Sequence, residues 1–456
     1  MLDADLASPS HLHPRSSEVE LRDMGETHAE RHLRGRSPGP SSQRQMTSVD
    51  MPCLEPNGCC SVCMNRLKGK AWIPLTILFA GVVMCAALPG VAYLKPPPSP
   101  PASHTNSSSS AVTLMIVGDW GRDGNENQKV CAAGMAAVAE SLRAEAGNVT
   151  GVGQGVHAVI STGDNFYPDG IPTLRNVSAF QKSFTEVYDA VSIADLTWHT
   201  VMGNHDYHGD VEAQVSETLA KEAMVGQKSR WDAMRGGYRE FDAAGNVSVS
   251  VGAGTGKEGA VLGVCFIDTN PWVHHYREKP NKYNFSGVKV VGESWKTWEA
   301  AELAALEKCL RESKATWRIV VGHHPIVSYG SHGSQPELAE VREIIERMGA
   351  AVYFNGHDHN LQHLVPNTRA AVPGTPAPQA VHFVTTGAGS NLRDDVDTSK
   401  KDLVTPGDGA GPLKFSHAAT PGFVVLRASR SSLRITFHGG SAGALLHTGV
   451  ISKDTV

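Results

Sequence analysis

Five apolar runs in this chain end in a glycine followed at once by aspartate, asparagine or histidine. They are Gly118–Asp119, Gly163–Asp164, Gly203–Asn204, Gly322–His323 and Gly356–His357. A short apolar run bounded by glycine reads as a buried strand. In α/β sheets, ligands bind beyond the carboxyl ends of the strands. Glycine there allows a tight turn and a close approach of backbone to a site. One Gly-Asp after a strand is an ordinary turn. Five such ends, carrying two aspartates, an asparagine and several of the 21 histidines, are expected to converge on one cleft.

The surrounding pattern fits. "AVTLMIVGD" and "VHAVISTGDN" read as strands around a helical segment, "ENQKVCAAGMAAVAESLRAEAG", a βαβ unit that implies a parallel sheet. Further strands are expected at "LTWHTVMGN", "VLGVCFIDT", "TWRIVVGHH", "AAVYFNGHD" and "AVHFVTTGAG", with helices at "ESWKTWEAAELAALEKCLRES" and "PELAEVREIIERMG". "GFVVLRASRSSLRITFHGG" reads as a hairpin, and "AAGNVSVSVGAGTGKEGA" as a turn-rich insertion. The fold class is α/β, with two packed sheets and helices outside.

Residues 1–70 are rich in Ser, Pro, Arg, Glu and His and are expected to be a disordered cytosolic tail. Ala71–Leu94 carries no charge and would span about 36 Å as a helix, enough for a hydrocarbon core of about 30 Å. Arg66, Lys68 and Lys70 precede it, which predicts one transmembrane signal anchor with a cytosolic N-terminus. Cys53, Cys59, Cys60 and Cys63 then lie on the cytosolic side, as palmitoylation candidates, a small zinc site or plain thiols. A Pro/Ser-rich stalk follows over 95–110, and residues 111–456 form the remaining domain. Asn106, Asn148, Asn176, Asn246 and Asn284 begin glycosylation sequons, all after the anchor. The expected topology is single-pass type II, with the large domain luminal or extracellular. Cys131, Cys265 and Cys309 allow at most one disulfide among them, Cys265–Cys309 being one candidate pair. The formal charge of −5, with no basic stripe to neutralise phosphates, gives no sign of a nucleic-acid partner, and none is expected. Oligomeric state is not legible.

Asp119, Asp164, Asn204, His323, His357, His359 and Tyr167 are more donors than one ion takes. Carboxylate, amide oxygen and imidazole suit two metals sharing a bridging carboxylate. A phenol has an ordinary pKa of about 10, so only a strongly Lewis-acidic ion such as ferric iron would hold it deprotonated in acid.

These blocks, "GDWG", "GDNFYPDG", "GNHDY", "VVGHHP" and "GHDHNLQH", resemble in order and spacing those of the purple acid phosphatases, within the calcineurin-like metallophosphoesterases. The small, tartrate-resistant type is the most similar, over a stretch from about Ala111 to near the end. The resemblance implies a metallophosphoesterase four-layer αββα sandwich, preceded here by the disordered tail and the transmembrane helix. It implies a binuclear centre of Fe3+ plus a divalent ion (Fe2+, Zn2+ or Mn2+). Asp119, Tyr167 and His359 would hold the ferric ion; Asn204, His323 and His357 would hold the divalent ion; Asp164 would bridge them. His205 and His332 match outer-sphere positions that could protonate the leaving group. The implied activity is an acid phosphatase hydrolysing phosphate monoesters by in-line attack of hydroxide held at the metals, with no phosphoenzyme. A phosphodiesterase or nucleotide pyrophosphatase on the same fold, and a non-catalytic membrane-tethered binding protein, are the alternatives. His324, where the small mammalian forms carry a tyrosine, is a candidate substrate contact. His208, His274, His275 and His363 are not expected to be ligands. "NPWVHHYREKPNKYNFSGVKVVGES" lies where the resembling enzymes carry a loop over the cleft.

Overall fold

The computed structural model describes residues 111–147, 155–173, 177–216, 230–249, 260–288, 294–366, 380–399 and 412–453. The tail, the anchor at Ala71–Leu94, the stalk and the sequons at Asn106, Asn148 and Asn176 lie outside them. No helix among the described residues is long and apolar enough to cross a membrane.

Two sheets carry the site. The first contains β1 (Val112–Val117), β2 (Ala158–Ser161), β3 (Thr197–Thr200) and β4 (Trp231–Ala233), side by side and parallel. Beyond β1 it continues antiparallel through β13 (Gly422–Ala428), β14 (Ser432–Gly439) and β15 (Ala444–Ser452). The expected C-terminal hairpin is therefore a three-stranded meander. The second sheet is built on four parallel strands, β7 (Ala260–Phe266), β8 (Trp317–Val321), β9 (Val352–Asn355) and β11 (His382–Thr386). On one side it is extended by β5 (Gly237–Asp242) and β6 (Val247–Ser248), on the other by β10 (Leu361–Leu364) and β12 (Leu413–His417). The expected turn-rich insertion thus contributes β6.

Side chains alternate across a strand, and this alternation builds the layers. Leu114 and Ile116 of β1 join Val264, Ile319 and Phe354 of the second sheet in a core between the sheets. Met115 and Val117 point the other way, onto Cys131 and Met135 of helix α1 (Glu126–Gly147). On the outer face of the second sheet, Val320 and Tyr353 pack with Leu310 of α2 (Trp295–Glu312) and with Val341 and Ile345 of α3 (Ala339–Arg347). Burial on both faces explains why β1, β8 and β9 read as largely apolar runs, each with a single polar residue, Thr113, Arg318 and Asn355.

Register then sets the site. Val117, Ser161 and Thr200 are aligned across β1, β2 and β3, and Val321 and Phe354 across β8 and β9. The strand-end glycines therefore emerge along one rim of each sheet.

Two features lie away from that rim. Cys265 of β7 and Cys309 of α2 form a disulfide that closes a loop of sequence separation 44. Among the described residues Cys131 is a free, buried thiol. The second feature is a chain of imidazoles: His363 Nδ1 lies 3.0 Å from His447 Nε2, and His363 Nε2 lies 2.9 Å from His382 Nδ1. Burial, then the neighbouring His382 and His447, push His363 down to about 3; burial and Lys414 push His382 down to about 4.

Replacing Cys265 and Cys309 together by alanine is expected to cost about 3–4 kcal/mol, since a loop of this size loses its cross-link in the unfolded chain; denaturant titration of both proteins measures it. The histidine chain makes a pH-dependent prediction. A folded pKa below the unfolded value of about 6.5 means that acid protonates the unfolded chain first, so stability is lost as pH falls from about 6.5 toward about 3–4. In His363→Gln the drop in melting temperature between about pH 7 and about pH 4.5 should be smaller than in the parent.

Candidate metal centre

The loops that follow the five strands meet, and their side chains fall into two groups. In the first, Tyr167 Oη lies 2.6 Å from Asp164 Oδ2, 2.9 Å from Asp119 Oδ1 and 3.2 Å from His359 Nε2. In the second, His323 Nε2 lies 3.1 Å from Asn204 Oδ1, 3.2 Å from His357 Nδ1 and 3.5 Å from Asp164 Oδ1. Asp164 belongs to both, one carboxylate oxygen in each. All seven side chains singled out from the sequence as ligands are therefore brought together, and all seven are buried.

Close approach explains the glycines. A Cβ on Gly203 would lie 2.1 Å from Asp164 Oδ1, and one on Gly356 would lie 2.3 Å from Asp119 Oδ2. The residue after the glycine bears the conformational load. Asp119, Asp164 and His357 have φ of 58°, 53° and 70°, the left-handed region that costs a non-glycine residue about 1–2 kcal/mol. Such positions persist only where surroundings over-determine them. Here the surroundings include hydrogen bonds from His357 N–H to Asp119 Oδ2 (2.9 Å) and from His205 N–H to Asp164 Oδ1 (2.8 Å).

Two further carboxylates hold the loops and were not legible as site residues. Asp206 is fully buried and accepts from the amides of Asn165, Phe166 and Gly203 and from Gln214 Nε2. It thereby ties the Asp164–Tyr167 loop to the Asn204–His205 loop. Its sequence signal is its place at the fourth position of the "GNHDY" block, from which no ligand or catalytic role was read. Asp358 accepts from the Ser328 hydroxyl and from His332 N–H (2.9 Å), fixing the loop that carries His332. An aromatic cluster anchors the same region from below: Trp120 follows Asp119, Phe166 precedes Tyr167, and their rings lie 5.9 Å apart beside Trp198 and Tyr188.

The donor set fits cations. Thr162 carbonyl oxygen, 2.9 Å from His323 Nδ1, can only accept, so that nitrogen carries the hydrogen and Nε2 presents a lone pair. That lone pair faces Asn204 Oδ1 and Asp164 Oδ1, both acceptors. Acceptors facing one another need an extra proton or a cation between them. Candidate ligand atoms of Asp119, Asp164 and His323 lie within 4.8 Å of one another, as do those of His323, His324 and His357. Burial, then the charges of neighbouring histidines, hold His357 well below the usual imidazole range, while burial and Arg393 push His359 down to about 3. Both are thus kept neutral, the form that ligates metal. Burial pushes Asp119 up to about 7, with Asp164 adding to it. Burial would raise Asp164 as well, but His323, His205 and the Tyr167 hydroxyl outweigh it and hold that carboxyl below its ordinary range.

The remaining histidines are sorted by their partners. His205 Nδ1 donates to the Pro168 carbonyl, and its ring packs 4.3 Å from Tyr167. His332 Nε2 accepts from Arg393 Nη1 (3.1 Å), and its ring lies 4.3 Å from that of His357. His324 forms a wall, with Nδ1 paired to Thr269 Oγ1 (2.9 Å) and Nε2 to Tyr276 Oη (3.2 Å). Tyr276 belongs to the segment expected over the cleft and stacks on Tyr283 at 4.1 Å. His274 and His275 are exposed on it, and His208 packs on Tyr283 at 5.0 Å.

A family model described as calcineurin-like phosphoesterase matches residues 112–361. Among curated proteins, purple acid phosphatase 3 of Arabidopsis thaliana is 33% identical over 345 residues, 75% of this chain and 78% of the relative. Tartrate-resistant acid phosphatase type 5 of Homo sapiens is 25% identical over 350 residues, 76% and 93% of the two chains. Among solved structures, GAP50, the anchor in the inner membrane complex of Plasmodium, superposes with a TM-score of 0.52 at 20% identity, over 75% of this chain and 89% of that one. That likeness is one of fold.

Gly203→Ala places a methyl against the shared carboxylate and should weaken metal binding about tenfold to a hundredfold, the equivalent of an overpacking cost of about 1–3 kcal/mol. Equilibrium metal titration, with circular dichroism as the folding control, checks this; unaltered affinity would show that Asp164 is not held in place by the turn.

Proposed function

The chain belongs to the calcineurin-like phosphoesterase family, and from that footing we propose that it is an acid phosphatase of the purple type, hydrolysing phosphate monoesters. One observation carries the reading: Asp164 divides its two oxygens between two groups of donors, and a tyrosine stands in only one of them. Such a division suits two unlike ions. Asp119, Tyr167 and His359 would hold Fe3+, Asn204, His323 and His357 would hold Fe2+, Zn2+ or Mn2+, and Asp164 would lie between. When bound, the pair supplies Lewis acidity, neutralising phosphate charge and making a water nucleophilic in acid.

The chain's own residues do the rest. Tyr167, buried among Asp119 and Asp164, has its phenol raised well above its ordinary value by burial and those two charges. The protein alone therefore keeps this oxygen protonated, and only a strongly Lewis-acidic ion would displace the proton. His205 serves as the proton carrier for the leaving oxygen: with Nδ1 committed to Pro168, Nε2 is the nitrogen that takes up and releases a proton. His332 is held neutral, pushed down to about 4 by burial and Arg393, and its accepting Nε2 is engaged by that arginine. Its role is to orient, and that of His205 is to donate. His324, hydrogen-bonded to Tyr276, would stand beside the divalent site next to His323 and His357.

We also propose a type II membrane topology with the catalytic part luminal or extracellular. The Cys265–Cys309 disulfide supports an oxidising compartment, and the sequon residues Asn246 and Asn284 are exposed.

The test combines metal analysis, a visible spectrum and turnover. Purified protein should contain iron and absorb in the visible, and Tyr167→Phe should lose that band. Nitrophenyl phosphate monoesters should be cleaved at least about a hundredfold faster than diesters, a difference of about 2.7 kcal/mol in barrier. A colourless iron-free protein, or a preference for diesters, would overturn the assignment.

A further inference from the structure

The turn after Asp119 contains a cation that the chemistry above does not use. Tyr167 N–H donates to the Gly121 carbonyl at 2.7 Å, so the Gly121–Arg122 turn lies directly on the Tyr167 loop. Gly121 leaves no alternative spacing, since a Cβ there would lie 1.7 Å from the Asn165 carbonyl oxygen. The turn is pinned from its other side by Gln128, whose Oε1 accepts from Arg122 N–H (3.0 Å) and Gly124 N–H (2.9 Å) while its Nε2 donates to Ser183 O (2.6 Å). On this rigid turn the Arg122 guanidinium carbon stands 3.7 Å from the centroid of the Tyr167 ring. Arg122 Nε and Nη2 are buried, and neither has a hydrogen-bond partner among the described residues. Nor does a carboxylate among the described residues form an ion pair with it.

Arg122 is half-buried, and a guanidinium with two nitrogens cut off from water and from hydrogen-bond partners is costly. Its compensation here is the ring face. The electron-rich face of an aromatic ring attracts a cation, the more so where water is excluded. A tyrosinate ring, carrying a full negative charge, attracts it further.

Resting on the reading proposed above, we infer that Arg122 is a positioning residue for the tyrosine ligand, clamping the ring of Tyr167 and drawing electron density away from its phenolate oxygen. A cation on the ring stabilises the electrons that a tyrosinate would lend to a ferric ion. Moving one of those electrons to the metal then takes more energy, so the visible band lies at shorter wavelength than it would for an unaccompanied tyrosinate. An ion held there would be left a stronger Lewis acid, because its tyrosine would donate less.

The experiment compares visible spectra and iron content of the full chain as wild type, Arg122→Met, Arg122→Gln and Arg122→Lys. Removing the charge, in the Met and Gln variants, should shift the band to longer wavelength at unchanged iron content. Arg122→Lys, which keeps a charge without the planar fork, should recover part of the shift. A band at the wild-type wavelength in all three variants would overturn the inference. So would loss of iron from all three alike, which would leave Arg122 only a packing role. A wild-type protein that holds iron yet shows no visible band, or a Tyr167→Phe variant that keeps the band, would instead bring down the parent reading and this inference with it. The two failures are distinguishable by the wild-type and Tyr167→Phe spectra, which test the parent reading without any change at Arg122.

Discussion

Three carboxylates, Asp119, Asp164 and Asp206, are buried in one cluster of loops, and the local structure is organised around making that tolerable. Like charges in a water-poor interior repel strongly unless something of opposite sign, or a set of donors, is close by. Asp206 is answered by backbone amides and an amide side chain. Asp164 is answered by His323, His205 and Tyr167. Even so, burial and the charge of Asp164 push both Asp119 and Asp206 up to about 7, so neither carboxyl is fully answered by its donors. A bound cation is the remaining way to hold all three ionised, which is why the centre reads as built for metal.

The geometry that crowds these groups comes from strand register, turn glycines and an aromatic floor. Register brings the strand ends to one level. Gly203 and Gly356 let the carboxylates approach backbone with no intervening methyl. Trp120 and Phe166, each next to a candidate ligand in the chain, sink the two loops into the core beneath. Ligand placement is thus a consequence of how the hydrophobic layers close.

Much of this was legible in the sequence, for a physical reason. Strands buried on both faces, such as Val112–Val117 and Val352–Asn355, are apolar at all but one position each, Thr113 and Asn355. Strands with a wet face announce themselves less. Leu413–His417 and Ala444–Ser452 mix polar and apolar residues, and both went unread. Leu361–Leu364 was hidden inside a stretch read for its histidines. The ligand set was legible because each member follows a strand-end glycine, or stands within four residues of one, and is of a type that ligates metal in the blocks quoted above. Asp206, Asp358 and Arg122 were not, because their roles depend on partners distant in the chain: Asn165 for the first, Ser328 for the second, Tyr167 for the third. No spacing rule encodes such meetings.

The candidate ligands are divided between the layers. Asp119, Asp164, Tyr167 and Asn204 follow strands of the first sheet, and His323, His357 and His359 follow strands of the second. Ions seated among them would act as rivets through both plates of the sandwich. Any sliding of one plate against the other would be felt first as a loosened grip on the rivets, well before the hydrophobic filling between the plates came apart. Metal release would therefore serve as an early gauge of mechanical wear in this molecule, ahead of any change in its secondary structure.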